Sequence, residues 1–193
     1  GRALFGKSSG GYGALYHAMK YPEAWGAAAS HAGDVGFDLL FRGEFPAACA
    51  ALAPLQGDAE AFIRAFWSKN RPNGRDFNVM MLLAMAASYD PDPDEPGRIR
   101  LPFDLRTCEI DEERWANWKR FDPLEMLNDH AAALKSLHGL YIDVGIHDQY
   151  NLQISYNLAD LSEAYSLPLF KQHDALHDAL QTAYLFIFLV KNL

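Results

Sequence analysis

Cysteine, basic residues and membrane-length apolar segments are all scarce in this chain of 193 residues. Its two cysteines, Cys49 and Cys108, are too few for a disulfide framework or a cysteine-based metal site, and we expect both to be buried thiols. The apolar run 183–190 is too short to cross a bilayer. With 17 basic against 25 acidic residues and a net charge of −8, the chain is not expected to bind nucleic acid or an anionic membrane.

The most informative segment that is present lies at the start of the chain, where an apolar strand runs into a glycine-rich turn. Gly6, Ser8 and Gly10 form the pattern G-x-S-x-G, and a helical segment follows. This order is typical of a nucleophile elbow, which holds a serine hydroxyl on a strained turn above a sheet. Small residues are expected two positions before and after that serine, because a Cβ would collide there. Ser8 meets this condition and Ser9 does not, since Lys7 lies two positions before Ser9.

The same residues also match a phosphate-binding P-loop, G-x-x-x-x-G-K-[ST], over positions 1–8. Three observations oppose this interpretation. No strand precedes Gly1, and the residues that would have to form an open loop, Ala3–Phe5, are typical of a strand. A helix that begins with glycines at 10, 11 and 13 is also unfavourable unless close packing requires them, as an elbow does. A P-loop nucleotide binder therefore stays a distant alternative.

An acid for a serine nucleophile is expected downstream, before the histidine. A predicted strand at 140–144 leads into Asp148, which lies in the loop where an orienting carboxylate belongs. Asp148 could also cap the following helix, a common role for aspartate. Asp143 is the other carboxylate in this segment, and we interpret it as a strand-end residue rather than the acid.

A general base is expected after the next strand, which we predict at 168–171. The loop that follows holds His177 and then runs into the last helix, so His177 is the candidate base. His173 competes with it, because it follows the strand more directly. The other histidines have no carboxylate or cysteine at ligand spacing, so we expect no metal site and no cofactor; they are His17, His31, His130, His138 and His147.

Three segments together resemble the esterase D-type α/β-hydrolases, a family that includes S-formylglutathione hydrolases, feruloyl and enterochelin esterases and mycolyltransferases. They are the run around Ser8 (6–14), the run SHAGD at 30–34 and the run DVGIHDQY at 143–150. The resemblance covers most of the chain. It implies an α/β-hydrolase fold with a mainly parallel sheet.

The resemblance also implies roles for individual residues. Ser8 would be the nucleophile, Asp148 the orienting acid and His177 the base, and the backbone N–H of Ser9 would donate to the oxyanion. The sequence departs from the family around the histidine, where Phe170–Gln172 replaces acidic residues and Ala175-Leu176 replaces a glycine pair. The second oxyanion donor would come from a loop upstream of Gly1, so we expect the chain to be the C-terminal part of a larger hydrolase.

The breaks in the sequence predict one domain over 1–193 that carries a helical, cap-like insertion at 33–138. Four strands are expected, at 2–5, 26–31, 140–144 and 168–171, and the proline-acid segment 90–96 is expected to be a loop. Helices are expected at 9–20, 45–52, 58–69, 76–89, 111–121, 129–137 and 151–165 and at the end of the chain. The large aromatic residues of the insertion are expected to pack its core, or alternatively to line a pocket; they are Trp67, Trp115, Trp118 and Phe121.

Function is therefore expected to be hydrolysis of a small-molecule ester or thioester by a Ser-His-Asp triad, through an acyl-enzyme. The alternative is a non-catalytic, hydrolase-like piece that binds or scaffolds. If upstream strands are missing, Ala3–Phe5 becomes an exposed apolar edge. We then expect the 193-residue chain by itself to aggregate or to pair along that edge, with little or no esterase activity.

Overall fold

The computed structural model describes residues 1–145. The predicted strand at 168–171 and the helices predicted after residue 150 lie outside the described residues. The described chain divides into two compact units. One comprises Gly1–Leu39 and the described residues from Asp122 onward, and we call it the sheet unit. The other, Leu40–Phe121, is the helical unit.

Three strands and seven α-helices follow one another along the described residues. The strands are β1 (Ala3–Lys7), β2 (Ala27–His31) and β3 (Gly139–Asp143). The helices are α1 (Ser9–Lys20), α2 (Phe37–Leu40), α3 (Phe45–Leu52), α4 (Ala59–Ser68), α5 (Gly74–Tyr89), α6 (Glu112–Lys119) and α7 (Pro123–Lys135). Short 3-10 turns lie at Pro22–Ala24, Arg42–Glu44 and Ala53–Leu55.

The three strands form a parallel sheet in the order β1-β2-β3. Lys7 pairs in register with His31, and His31 pairs with Asp143. Because all three strands run in the same direction, their carboxyl ends meet at one edge of the sheet. This parallel pairing confirms the predicted α/β class. It also shows that positions 3–5, which a P-loop would need as an open loop, belong to β1, so the structure gives that alternative no support.

Helix α1 lies against the sheet at a distance that only small residues allow. A Cβ on Gly11 would lie 2.8 Å from the Gly33 Cα and 2.8 Å from the Ser30 Oγ. A Cβ on Gly33 would in turn lie 2.7 Å from the Gly11 carbonyl carbon and 2.8 Å from the Tyr12 nitrogen. These separations are shorter than van der Waals contact. The backbones of α1 and of the loop after β2 therefore touch directly.

Helix α7 begins at Pro123, six residues before the predicted start at 129. The start signal is Asp122 followed by proline at the first helical position, a common helix beginning that the prediction overlooked. The buried Asp122 carboxylate accepts hydrogen bonds from the N–H groups of Gly36 (2.9 Å), Phe37 (2.7 Å) and Leu124 (3.0 Å). It therefore joins α7 to the loop that follows β2. Burial raises the pKa of this carboxyl, while the N–H donors act in the opposite direction.

Aromatic side chains fill the core of the helical unit. Trp118 is fully buried, with ring centroids 5.8 Å from Phe41, 5.5 Å from Tyr89 and 5.7 Å from Trp115. The predicted packing role is therefore correct for Trp115 and Trp118. It is wrong for Trp67, which is 74% exposed, because it lies on the outer face of α4.

The proline-acid segment is a loop, as predicted, and buried ion pairs hold its beginning in place. The Asp90 carboxylate accepts hydrogen bonds from Arg100 (3.0 Å) and from the Asn117 side chain (2.9 Å), and Arg114 lies 3.8 Å away. Asp92 approaches Arg100 within 3.9 Å. The loop is thus joined to α6 by a hydrogen bond from Asn117 and by the charge of Arg114.

The two cysteines lie in the helical unit and are free thiols, each partly buried. The Cys49 thiol approaches the Asp104 carbonyl at 3.7 Å. Burial raises the pKa of Cys49 to about 12, and the neighbouring Cys108 thiol adds to the rise. Such a thiol is protonated at neutral pH and is a poor nucleophile.

Candidate active site

Ser8 lies between β1 and α1 in a backbone conformation that few non-glycine residues adopt. Its φ is 54° and its ψ is −128°. This region costs a residue with a Cβ about 1–3 kcal/mol, and such strain is concentrated at functional sites. Two backbone hydrogen bonds hold the turn: the Ser8 N–H donates to the His31 carbonyl at 3.0 Å, and the Tyr12 N–H donates to the Ser8 carbonyl at 3.0 Å.

The Ser8 hydroxyl does not cap α1, although Ser8 occupies the N-cap position of that helix. Serine at an N-cap commonly uses its hydroxyl to accept an N–H of the first turn. Here no side-chain cap hydrogen bond forms, and Ser8 is exposed. The strained backbone thus holds the side chain away from the helix it would otherwise cap.

The two glycines around Ser8 have different roles. A Cβ on Gly6 would collide with the backbone of Gly10, so position 6 requires glycine. Among residues 1–145, a Cβ on Gly10 would meet nothing within 4 Å outside its own helix backbone and its chain neighbours. The prediction that both positions exclude a Cβ is therefore wrong for Gly10. The Gly10 backbone is what a Cβ on Gly6 would strike, whereas a Cβ on Gly10 itself would point into space that is open among the described residues.

The first turn of α1 presents backbone N–H groups at the same edge. The amides of Ser9, Gly10 and Gly11 precede the first intrahelical hydrogen bonds, so they have no partner within the helix. The partial positive charge of a helix N-terminus adds to their attraction for an anion. The Ser9 amide, predicted to be an oxyanion donor, is the one adjacent to Ser8.

A histidine–carboxylate pair lies beside the serine at the carboxyl ends of the neighbouring strands. The His31 Nδ1 is 2.8 Å from one oxygen of Asp143 and 2.7 Å from the other. The His31 side chain is 52% exposed and that of Asp143 is 27% exposed, so the pair faces solvent and is not part of the core. The Ala32 N–H also donates to the Asp143 carbonyl at 2.7 Å, which continues the ladder between the two strands.

Sequence reasoning treated His31 and Asp143 separately and missed their contact. The two residues are 112 positions apart, and no motif joins them. The available signal was topological: each was predicted to end a strand of one parallel sheet. Polar residues at such strand ends meet at one edge.

Tyr141 extends this pair along the same face of β3. Burial raises the pKa of the Tyr141 hydroxyl. The Asp143 carboxylate raises it further, through its negative charge and through the hydrogen bond that it accepts from the hydroxyl. Asp143 therefore serves two donors, His31 and Tyr141.

Of the predicted site residues, Ser8 and Ser9 lie together at the carboxyl edge of the sheet. Asp148, His177 and the competing His173 lie outside the described residues. Within residues 1–145, no group of three or more histidine, cysteine, aspartate and glutamate side chains could hold a metal ion. No helix in the same range is both long and apolar enough to cross a membrane.

A comparison with models of protein families matches the chain to one of them. The model of the putative-esterase family matches residues 1–177. The chain belongs to this family. Its fold is that of the α/β-hydrolases, of which the described residues supply three parallel strands and their helices. Family membership supports ester hydrolysis as the activity and a small-molecule ester as the substrate. No curated protein matches the chain.

Proposed function

We propose that the protein is a serine carboxylic-ester hydrolase in which Ser8 is the nucleophile. The observation that supports this most strongly is the backbone of Ser8, which stays at φ 54° between a strand and a helix while its hydroxyl is exposed and uncapped. An ordinary N-cap serine would need no such strain. A nucleophile elbow requires it, because the turn lifts the hydroxyl above the sheet edge.

Catalysis would proceed through an acyl-enzyme. His177 accepts the Ser8 proton as the oxygen attacks the ester carbonyl, and the carbonyl becomes a tetrahedral oxyanion. The imidazolium then donates the proton to the departing alcohol, which leaves an acyl group on Ser8. A water molecule, deprotonated by the same imidazole, releases the acid. Asp148 orients the imidazole and stabilises its charged form.

The oxyanion would bind at the start of α1. The Ser9 N–H follows the nucleophile directly and has no partner within the helix. One such donor contributes about 100- to 1,000-fold to kcat in a serine hydrolase. The donation comes from the backbone, so the Ser9 side chain has no part in it.

Ester hydrolysis by variants of the protein expressed from its complete coding sequence tests these assignments. Ser8→Ala should reduce kcat for p-nitrophenyl acetate by at least about 1,000-fold, because no other group forms the acyl-enzyme. His177→Ala should cause a loss of similar size, and His173→Ala a much smaller one. Ser9→Ala is the matched control and should retain activity, since it keeps the amide. The reverse order of the two histidine variants would assign the base to His173.

A further inference from the structure

A row of three side chains lies beside Ser8 on one face of the sheet. Lys7, His31 and Asp143 are consecutive register partners across β1, β2 and β3. Partner residues of adjacent strands project from the same face, so these three side chains share it. Lys7 immediately precedes Ser8, and the His31 carbonyl accepts the Ser8 N–H. The row is therefore adjacent to the proposed nucleophile.

The charges in this row are unequally compensated. The Asp143 carboxylate receives hydrogen bonds from His31 and from Tyr141. Lys7 is exposed, and among residues 1–145 no carboxylate pairs with it. Among residues 1–145, Lys7 is thus a cation without a carboxylate partner on the strand next to His31, and Asp143 lies on the far side of His31.

The geometry of the imidazole leaves one nitrogen available. His31 Nδ1 is directed toward Asp143 on β3, which requires that Nδ1 carry a proton. The second nitrogen, Nε2, lies across the ring and points away from Asp143. Strand β1, with Lys7 and Ser8, is on the other side of His31 from β3. The His31 side chain is 52% exposed, and Nε2 makes no hydrogen bond that is seen among residues 1–145.

We propose that Lys7 and His31 form an anion-recognition pair, and that the protein prefers esters carrying a carboxylate a few atoms from the scissile bond. The substrate carboxylate would lie between the Lys7 ammonium and the His31 Nε2–H. One nitrogen of the His31 imidazole would then face Asp143 and the other the substrate carboxylate. This inference rests on the proposed function of Ser8.

The overall charge of the chain is unfavourable for an anionic substrate, so a local cation beside the nucleophile would matter. At a net charge of −8, the surface as a whole repels an anionic ester. Lys7 and His31 offset this repulsion next to Ser8. They also orient the ester by binding its carboxylate. A neutral ester gains nothing from either group.

Two esters that differ in one group test the proposal. Phenyl hexanoate and monophenyl adipate have the same leaving group and chain length, and only the second carries a terminal carboxylate. The quantity measured is the ratio of kcat/KM for the adipate to kcat/KM for the hexanoate, with protein expressed from the complete coding sequence. This ratio cancels a general loss of active protein in a variant.

We expect the ratio to exceed one in the natural protein. It should fall about tenfold in Lys7→Met and in His31→Asn, because each variant loses one charge-assisted hydrogen bond to the substrate carboxylate. Asp143→Asn should lower it less, because the imidazole remains but is no longer held by a charge. Lys20→Met and His17→Asn, which change exposed residues of α1, are the matched controls and should leave the ratio unchanged.

A ratio that stays within twofold in both Lys7→Met and His31→Asn would overturn the proposal, as would a ratio below one in the natural protein. An equal loss of both esters in His31→Asn, with the ratio intact, would assign His31 to holding the turn and not to recognition. Failure of the proposed function has a different signature, in which the Ser8→Ala protein still hydrolyses phenyl hexanoate or the natural protein hydrolyses neither ester.

Discussion

The sheet unit and the helical unit are packed in opposite ways. The sheet unit joins α1 to the loop after β2 through backbone contacts between Gly11 and Gly33, which leave no room for a side chain. The helical unit fills its interior with large rings around Trp118 and holds its proline-acid loop by ion pairs to Asp90. Close backbone contact leaves a turn little conformational freedom. The strained Ser8 lies in the sheet unit, which has this kind of contact.

This difference predicts how each unit responds to substitution. The helical unit should be sensitive to the removal of volume, because a cavity cannot collapse among rigid rings. The sheet unit should be sensitive to the addition of volume, because its contacts have no space to give. The predictions below run from the largest expected effect to the smallest.

Trp118→Ala should lower the free energy of unfolding by about 4 kcal/mol, since it removes a fully buried ring from contact with Phe41, Tyr89 and Trp115. Trp118→Phe should cost much less, because it keeps most of the volume and removes an indole N–H that has no hydrogen-bond partner among the described residues. Urea unfolding measures both. Trp67→Ala is the control, and at 74% exposure it should change stability by less than about 0.5 kcal/mol. Equal losses of unfolding free energy in Trp67→Ala and Trp118→Ala would contradict the assignment of Trp118 to the core of the helical unit.

Gly33→Ala should destabilise the sheet unit by about 3 kcal/mol, because its Cβ would meet backbone atoms of Gly11 and Tyr12 that cannot move aside. Gly13 lies on α1, and in the part of the chain that the structure describes a Cβ there would meet nothing within 4 Å. Gly13→Ala should stabilise α1 by up to about 1 kcal/mol through helix propensity. Hydrogen exchange of the α1 amides measures both changes. The two variants should differ in sign, and a common sign would show that backbone contact does not govern this unit.

Asp122→Ala should destabilise the sheet unit by about 2 kcal/mol, because three N–H groups, two of them buried, lose their acceptor. Asp122→Asn, which keeps one oxygen, should cost less.

Burial raises the pKa of Asp122 above its ordinary value of 3.8, so the folded protein holds this proton more tightly than the unfolded chain. The stabilising contribution is present below pH 3.8 and is lost as the pH rises through the folded pKa.

Urea titrations of the natural protein and of Asp122→Asn across this pH range isolate that contribution. The natural protein should lose stability relative to the asparagine variant as the pH rises. A difference that grows in the other direction would mean that the N–H donors outweigh burial.

Local sequence signals predicted the local structure well. The strand, turn and helix around Ser8 follow from apolar residues, glycines and a helical pattern within about 20 positions, and α1 begins and ends where it was predicted. Asp122 and Pro123 indicate the start of α7, and the prediction overlooked this signal. The short helix α2 has only four residues and gives no periodic signal.

Contacts between distant segments could not be predicted in the same way. The pairing of His31 with Asp143 depends on which strands become neighbours and in what register. A one-residue slip of β3 would turn Asp143 to the other face of the sheet. The requirement for glycine at 33 likewise comes from the position of α1, and nothing in the sequence near Gly33 indicates it.

Covalent labelling by a fluorophosphonate tests the central claim most directly, because the probe reacts only with an activated serine. Trypsin should release the labelled site in the peptide 8–20, which contains both Ser8 and Ser9 and therefore needs variants to separate them. With protein from the complete coding sequence, Ser8→Ala should abolish labelling of this peptide and Ser9→Ala should preserve it. Labelling that persists in Ser8→Ala would show that the strained turn does not carry the nucleophile.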